Sequence, residues 1–177
     1  MPRKVLLPKE IEGRLIALTP LTQEVDGILL YRKRNDYCSV EALFMTGVGS
    51  VGHVQAEPER VEVANEFFKR NSEYQFIKFH THSRGTIERF GQYYARHFSQ
   101  GDIDGMQEHL RADRDFMAML VTPETKLLCG IDNPTLLVVN GFRGYQSRSQ
   151  AVSRSLNSIA KNLGYDISRL QATTSQL

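Results

Sequence analysis

Tryptophan is missing from this 177-residue chain, cysteine occurs only twice, and neither a block of like charge nor a long apolar run is present. Each scarcity excludes something. Cys38 and Cys129 stand far apart and form no C-x-x-C pair, so no disulfide framework is expected and a reducing cytoplasm is the default location. Lysine and arginine number 22 against 20 acids, and the resulting charge of +2 is dispersed; neither nucleic acid nor an anionic membrane is an expected partner. No stretch approaches the roughly 20 apolar residues needed to cross a bilayer, and the opening ten residues contain no apolar segment of signal-peptide length. Repeats and low-complexity tracts are also absent. Residues 1–170 are therefore expected to form a single domain large enough for a real core, with residues 171–177 as a frayed tail.

What is present alternates between helical and extended patterns. Ile11, Leu15 and Leu18 recur at helical spacing and predict a helix over Lys9–Leu18, ended by Pro20. Strand-like runs follow at Ile28–Tyr31 and Tyr37–Met45, then a glycine-bearing turn from Gly47 to Gly52 that lacks the Gly-Lys-Ser/Thr ending of a phosphate loop. His53, just beyond it, reads as structural. Glu57-Pro58-Glu59 opens the clearest helix, with acids at its positive end, Lys69-Arg70 at its negative end, and an expected buried stripe of Val61, Ala64 and Phe68. Further strands are expected at Tyr74–Phe79, Phe116–Val121, Leu127–Ile131 and Leu136–Val139. A last helix from Ser147 carries Val152, Leu156, Ile159 and Leu163 on one face and stops at Gly164. The order strand, helix, strand predicts an α/β fold with a mixed sheet between helices.

Chemistry concentrates at Phe79-His80-Thr81-His82-Ser83. Residues i and i+2 of a strand point to the same side, so both imidazoles can face one small volume. Two nitrogens and a nearby carboxylate make a three-ligand set with one position left for water, which is the arrangement of a catalytic zinc. Ser99-Gln100-Gly101-Asp102 can supply that carboxylate, but the same spacing is a capping box that ties off the first turn of a helix running through Met106 and Leu110. Between them, residues 83–98 are rich in arginine and aromatics; they read either as a lid or substrate-gripping surface or as a packed excursion covering the core. His97, inside this segment, is not expected to be a ligand. Glu24 precedes the Ile28–Tyr31 strand, at an element end from which a side chain can reach a site.

Taken together, Glu24-Val25-Asp26-Gly27-Ile28-Leu29-Leu30, His80-x-His82 and Ser99-x-x-Asp102 resemble the JAMM motif of the MPN (JAB1/Mov34) metalloprotease family over roughly Val5 to Asn140. The resemblance implies the MPN (cytidine-deaminase-like) architecture and one catalytic Zn2+ bound by His80, His82 and Asp102. It implies Glu24 as the general base on the zinc-bound water, and Ser99 as a hydrogen-bonding partner of that water and the oxyanion. Two features depart from the family pattern: Ser83 stands where proline is usual, and the segment before Ser99 is long. If that length shifts the register, Asp104 is the reserve ligand; Asp102 is preferred because serine stands three residues before it.

The implied activity is that of a deubiquitinase-like isopeptidase or peptidase, a hydrolase cutting the amide bond after the C-terminal Gly-Gly of ubiquitin or a ubiquitin-like modifier. An extended diglycine tail needs a narrow groove, and Phe90, Tyr93, Tyr94 and Phe98 are the candidate wall. The alternatives are a non-catalytic MPN-type scaffold and a metal-dependent phosphoesterase, whose barrel would need more length and more His and Asp ligands than follow His82 here. A zinc nucleobase deaminase would need His-x-Glu and Pro-Cys-x-x-Cys, and neither occurs.

Overall fold

The computed structural model describes residues 3–166. Its centre is one mixed seven-stranded sheet in the order β6-β5-β4-β2-β3-β1-β7. β2 (Val25–Lys33) lies antiparallel between β3 (Tyr37–Val48) and β4 (Tyr74–Thr81). β4 pairs in parallel with β5 (Met117–Val121), which turns back into β6 (Lys126–Gly130). β7 (Thr135–Val139) closes the other edge beside β1 (Lys4–Pro8). This is the expected α/β class.

Strand alternation explains why helices cover both faces. Leu29 and Tyr31 of β2, with Ile77 and Phe79 of β4, join Ile11 and Leu15 of helix α1 (Lys9–Ala17) in one core. Ile28 and Leu30 point the other way, against Val63, Ala64 and Phe67 of α2 (Pro58–Arg70) and Val152, Leu156 and Ile159 of α5 (Tyr145–Asn162). The fully buried Glu41 carboxylate on β3 ties α5 to this face: it accepts from Arg148 Nε at 2.7 Å, Arg32 Nε at 3.2 Å and Tyr74 Oη at 2.7 Å. Such a buried charge is tolerable because each oxygen has a donor.

Several expectations need correction. β1 had no counterpart in the sequence reading: Val5-Leu6-Leu7 is too short to show a period, and it becomes a strand because β3 and β7 pair it on both sides. The buried stripe of α2 is Arg60, Val63, Ala64 and Phe67, rotated from the expected Val61, Ala64 and Phe68; Val61 is exposed. Both sets have helical spacing. The choice falls on the one containing Arg60, whose Nε pairs with Glu57 at 2.8 Å and whose guanidinium donates to the Met45 carbonyl at 3.3 Å. Leu163 caps α5 rather than packing, and is about one-third exposed. Gly164, at φ +82, is the expected stop. The expected tail, residues 171–177, and the domain end at 170 lie outside the described residues. Among the described residues no helix is long and apolar enough to cross a membrane.

Gly27 shows how closely the centre is packed. It pairs with Phe79 across β2 and β4, and a Cβ there would lie 2.5 Å from the Phe79 ring and 2.7 Å from the Phe44 carbonyl oxygen. Gly27→Ala is expected to lower unfolding stability by about 1–3 kcal/mol, the usual cost of overpacking a core, read by chemical denaturation.

Candidate metal centre

Three elements deliver the site. His80 is the penultimate residue of β4, and His82 follows the strand end, held in register by its amide donating to the Val121 carbonyl of β5 at 3.0 Å. Asp102 lies in the first turn of α4 (Gln100–Ala112). Glu24 sits immediately before β2, whose Asp26 faces His80 across the ladder.

The expected donors converge. His80 Nε2 is 3.3 Å from His82 Nε2 and 3.3 Å from Asp102 Oδ1, and His82 Nε2 is 3.5 Å from Asp102 Oδ2. Taking one ligand atom from each residue, all lie within 4.8 Å of one another. A tetrahedral ion with ligands at about 2.0–2.2 Å has ligand–ligand edges of about 3.3–3.6 Å. The His80–His82 separation and the distance from each imidazole to its nearest Asp102 oxygen, Oδ1 for His80 and Oδ2 for His82, fall in that range, so the three side chains offer a donor set of metal-binding size.

The Asp102 carboxylate leans the same way. Burial alone would raise the Asp102 carboxyl, but hydrogen bonds from His80 and His82 outweigh it and hold the group well below the usual carboxylate range. Burial pulls the His82 imidazole down, yet its bonds to Asp102 and to the Tyr94 carbonyl leave it raised overall. His82 Nδ1 lies 3.0 Å from the Tyr94 carbonyl oxygen, an acceptor only. That contact places a proton on Nδ1 and turns the Nε2 lone pair toward the cluster when the ring is neutral.

Asp102 caps its helix and faces the two histidines at once. Ser99 is the N-cap of α4, with its Oγ accepting from the Asp102 amide at 3.2 Å. In return, Asp102 Oδ2 accepts from the Ser99 amide at 2.7 Å and from its hydroxyl at 2.6 Å. The capping box thus aims the carboxylate at the histidines. Asp104 is turned away, exposed and bonded to Gln100 Nε2 at 2.8 Å.

Glu24 is 5% exposed. Burial pushes its carboxyl up from the ordinary value, against the Thr86 hydroxyl, which donates to Oε1 at 2.9 Å and favours the charged form. Glu24, His80, His82, Ser99 and Asp102 all line one cavity of about 450 Å³.

Residues 83–98 fold as helix α3 (Arg84–Phe90) and a 3-10 turn (Gln92–Ala95). Of the four expected wall residues, Phe90 and Tyr94 line the cavity. Phe98 is buried with its ring centroid 6.0 Å from that of His80, whereas Tyr93 is 62% exposed and stacked on His97 at 4.3 Å. His97 is exposed and outside the cluster, and His53 lines the cavity rim.

Three further lining residues, Lys78, Asp26 and Thr86, had no role assigned from the sequence, and Thr46 stands behind Asp26. Lys78 stands two residues before His80, so strand period places it on the same face, a signal that was available. Its ammonium is 3.9 Å from Asp26 Oδ1, and Asp26 Oδ2 accepts from Thr46 at 2.6 Å. Thr46 is the extra residue where the β2–β3 register shifts, which periodicity does not reveal. Thr86 had no sequence signal, because its contact with Glu24 spans 62 positions.

Neither the known protein-family models nor the curated proteins include a match to this chain. Among solved structures it is similar to protein DSY2949 from Desulfitobacterium hafniense, at 18% identity and a TM-score of 0.51, over 79% of this chain and 95% of that one. That likeness concerns the fold alone.

Proposed function

We propose that this chain is a JAMM-type zinc isopeptidase or peptidase that hydrolyses the amide bond after the C-terminal Gly-Gly of ubiquitin or a ubiquitin-like modifier. The observation carrying the proposal is the convergence of His80, His82 and Asp102 at metal-ligand spacing in the cavity that also holds the buried Glu24. The finer fold assignment, the MPN architecture, belongs to the same proposal. It is supported by the chain order of base, histidine strand and capped helix around one sheet.

His80, His82 and Asp102 would hold a Zn2+ ion, which would lower the pKa of a bound water to about 7 and polarise the scissile carbonyl. The chain's own residues do the rest. Glu24 takes the proton from the attacking water and returns it to the leaving amine, which a carboxylate raised by burial does more readily than an ordinary one. His82 keeps its ring orientation through Tyr94, and Asp102 through the Ser99 cap. For Ser99 to assist an oxyanion, its hydroxyl has to leave Asp102 Oδ2, which retains the bond from the Ser99 amide. Phe90 and Tyr94 provide the apolar side of the cavity against which an extended glycine tail can lie.

The test is incubation of the metal-loaded chain with a panel of diglycine-linked modifier fusions, with and without a chelator. Cleavage after the second glycine, lost on chelation and regained with Zn2+, is the expected result. A protein that purifies without stoichiometric metal and cleaves none of the panel would instead be the non-catalytic scaffold.

A further inference from the structure

We propose that Thr86, in the segment separating His82 from Ser99, is a positioning residue that anchors one oxygen of Glu24 and leaves the other for proton transfer. The inference rests on the reading of Glu24 as the base. Thr86 is fully buried, as is Ser83. Its hydroxyl receives the Gly52 amide at 3.2 Å, and a backbone N–H can only donate. The hydroxyl proton has two acceptors in reach, Glu24 Oε1 at 2.9 Å and Ser83 Oγ at 3.1 Å, and the shorter contact to a carboxylate is the stronger one.

The arrangement is held from three sides. Gly52 has φ +76, a backbone conformation that favours glycine in the turn presenting this amide, and a Cβ on it would sit 2.4 Å from the Phe90 ring. Ser83 caps α3 by accepting from the Thr86 amide at 3.2 Å, while its own hydroxyl donates to the Thr22 carbonyl at 3.2 Å. Ser83 Oγ also lies 3.1 Å from Thr86 Oγ1, so the two hydroxyls form one cluster. A line of donors therefore runs from the Gly52 amide through Thr86 to Glu24. Among the described residues no other side chain hydrogen-bonds the Glu24 carboxylate. Glu24 lines the cavity shared with the metal-ligand triad, and Oε2 is the oxygen not held by Thr86.

A merely structural role for Thr86 would be satisfied by any side chain that fills its space. Positioning requires the hydroxyl. Thr86→Val removes the hydroxyl at nearly constant shape, and Thr86→Ser restores it. Two readouts separate this inference from the functional reading on which it rests.

In the metal-free protein carrying 13C-labelled glutamate, the Glu24 carboxyl should titrate at higher pH in Thr86→Val than in the wild type. The lost bond favoured the charged form. Thr86→Ser should titrate as the wild type does. In the zinc-loaded protein, Thr86→Val should lower kcat on a diglycine fusion by about 10–100-fold, the range typical of lost supporting contacts. KM and zinc content should be unchanged, and Thr86→Ser should recover the rate. If the valine variant does not give a cooperative melt, Thr86→Ala takes its place.

An unchanged carboxyl titration in the hydroxyl-free variant, or a serine variant behaving like the valine one, overturns the inference. If the wild type cleaves no fusion at all, the functional reading fails, and the carboxyl titration still decides whether Thr86 holds Glu24.

Discussion

Glu24→Gln should reduce turnover of a diglycine-linked substrate by about 10²- to 10⁴-fold, the contribution expected of a positioned proton-transfer group. Zinc content should stay at the wild-type level. Glutamine is nearly isosteric and keeps a carbonyl oxygen to accept from Thr86, so the 2.9 Å contact and the packing around this 5% exposed side chain survive. What disappears is the ability to accept a proton at neutral pH. Two assays check this together: metal analysis of the purified variant, and steady-state cleavage with Zn2+ in excess. Loss of metal alongside activity would mean that Glu24 is a ligand and not the base. Undiminished turnover would remove it from the chemistry altogether.

Asp102→Asn should weaken zinc binding by more than the roughly 10–100-fold that follows loss of an outer supporting contact, because it removes a charged ligand itself. Its effect on folding should be small. Asparagine keeps an oxygen for the Ser99 amide, so the cap on α4 persists in part, and replacing even a whole cap costs only about 0.5–2 kcal/mol. The variant therefore separates the observed capping role of this carboxylate from its proposed role as a ligand. Asp104→Asn is the control. That residue bonds Gln100 on the exposed side of the helix, and its replacement should leave zinc affinity unchanged. Competition with a chromogenic chelator measures both. Equal loss in the two variants, or loss only in Asp104→Asn, would refute the assignment of Asp102.

The convergence of His80, His82 and Asp102 was legible because its parts obey local rules. His80 and His82 share a side because strand side chains repeat every second residue. Asp102 is aimed by a cap whose Ser-x-x-Asp spacing is fixed by the first turn of a helix. The 16 residues 83–98 did not displace it, since they fold into α3 and a 3-10 turn and return the chain to the histidines. Local rules failed where two local answers were equal. Val61 and Val63 both fit an apolar stripe on α2, and the docking of Arg60 between Glu57 and Met45 decided between them. The short run Val5-Leu6-Leu7 had no period to read and became a strand only through its neighbours.

The sequence by itself determined most of the elements, though not β1 or α3, and the residue types: an α/β chain, two imidazoles on one side of a strand end, a carboxylate at a helix start, and a second carboxylate ahead of an apolar strand. Backbone geometry sets those relations within a few residues, so they survive without knowledge of the rest. Only the tertiary structure decided that these groups meet in one cavity, that Asp102 and not Asp104 faces the imidazoles, and that Thr86 and the Tyr94 carbonyl hold Glu24 and His82 in place. Those contacts join residues from 12 to 62 positions apart. They depend on sheet register and on how the intervening segment packs, and no local period in the chain encodes either.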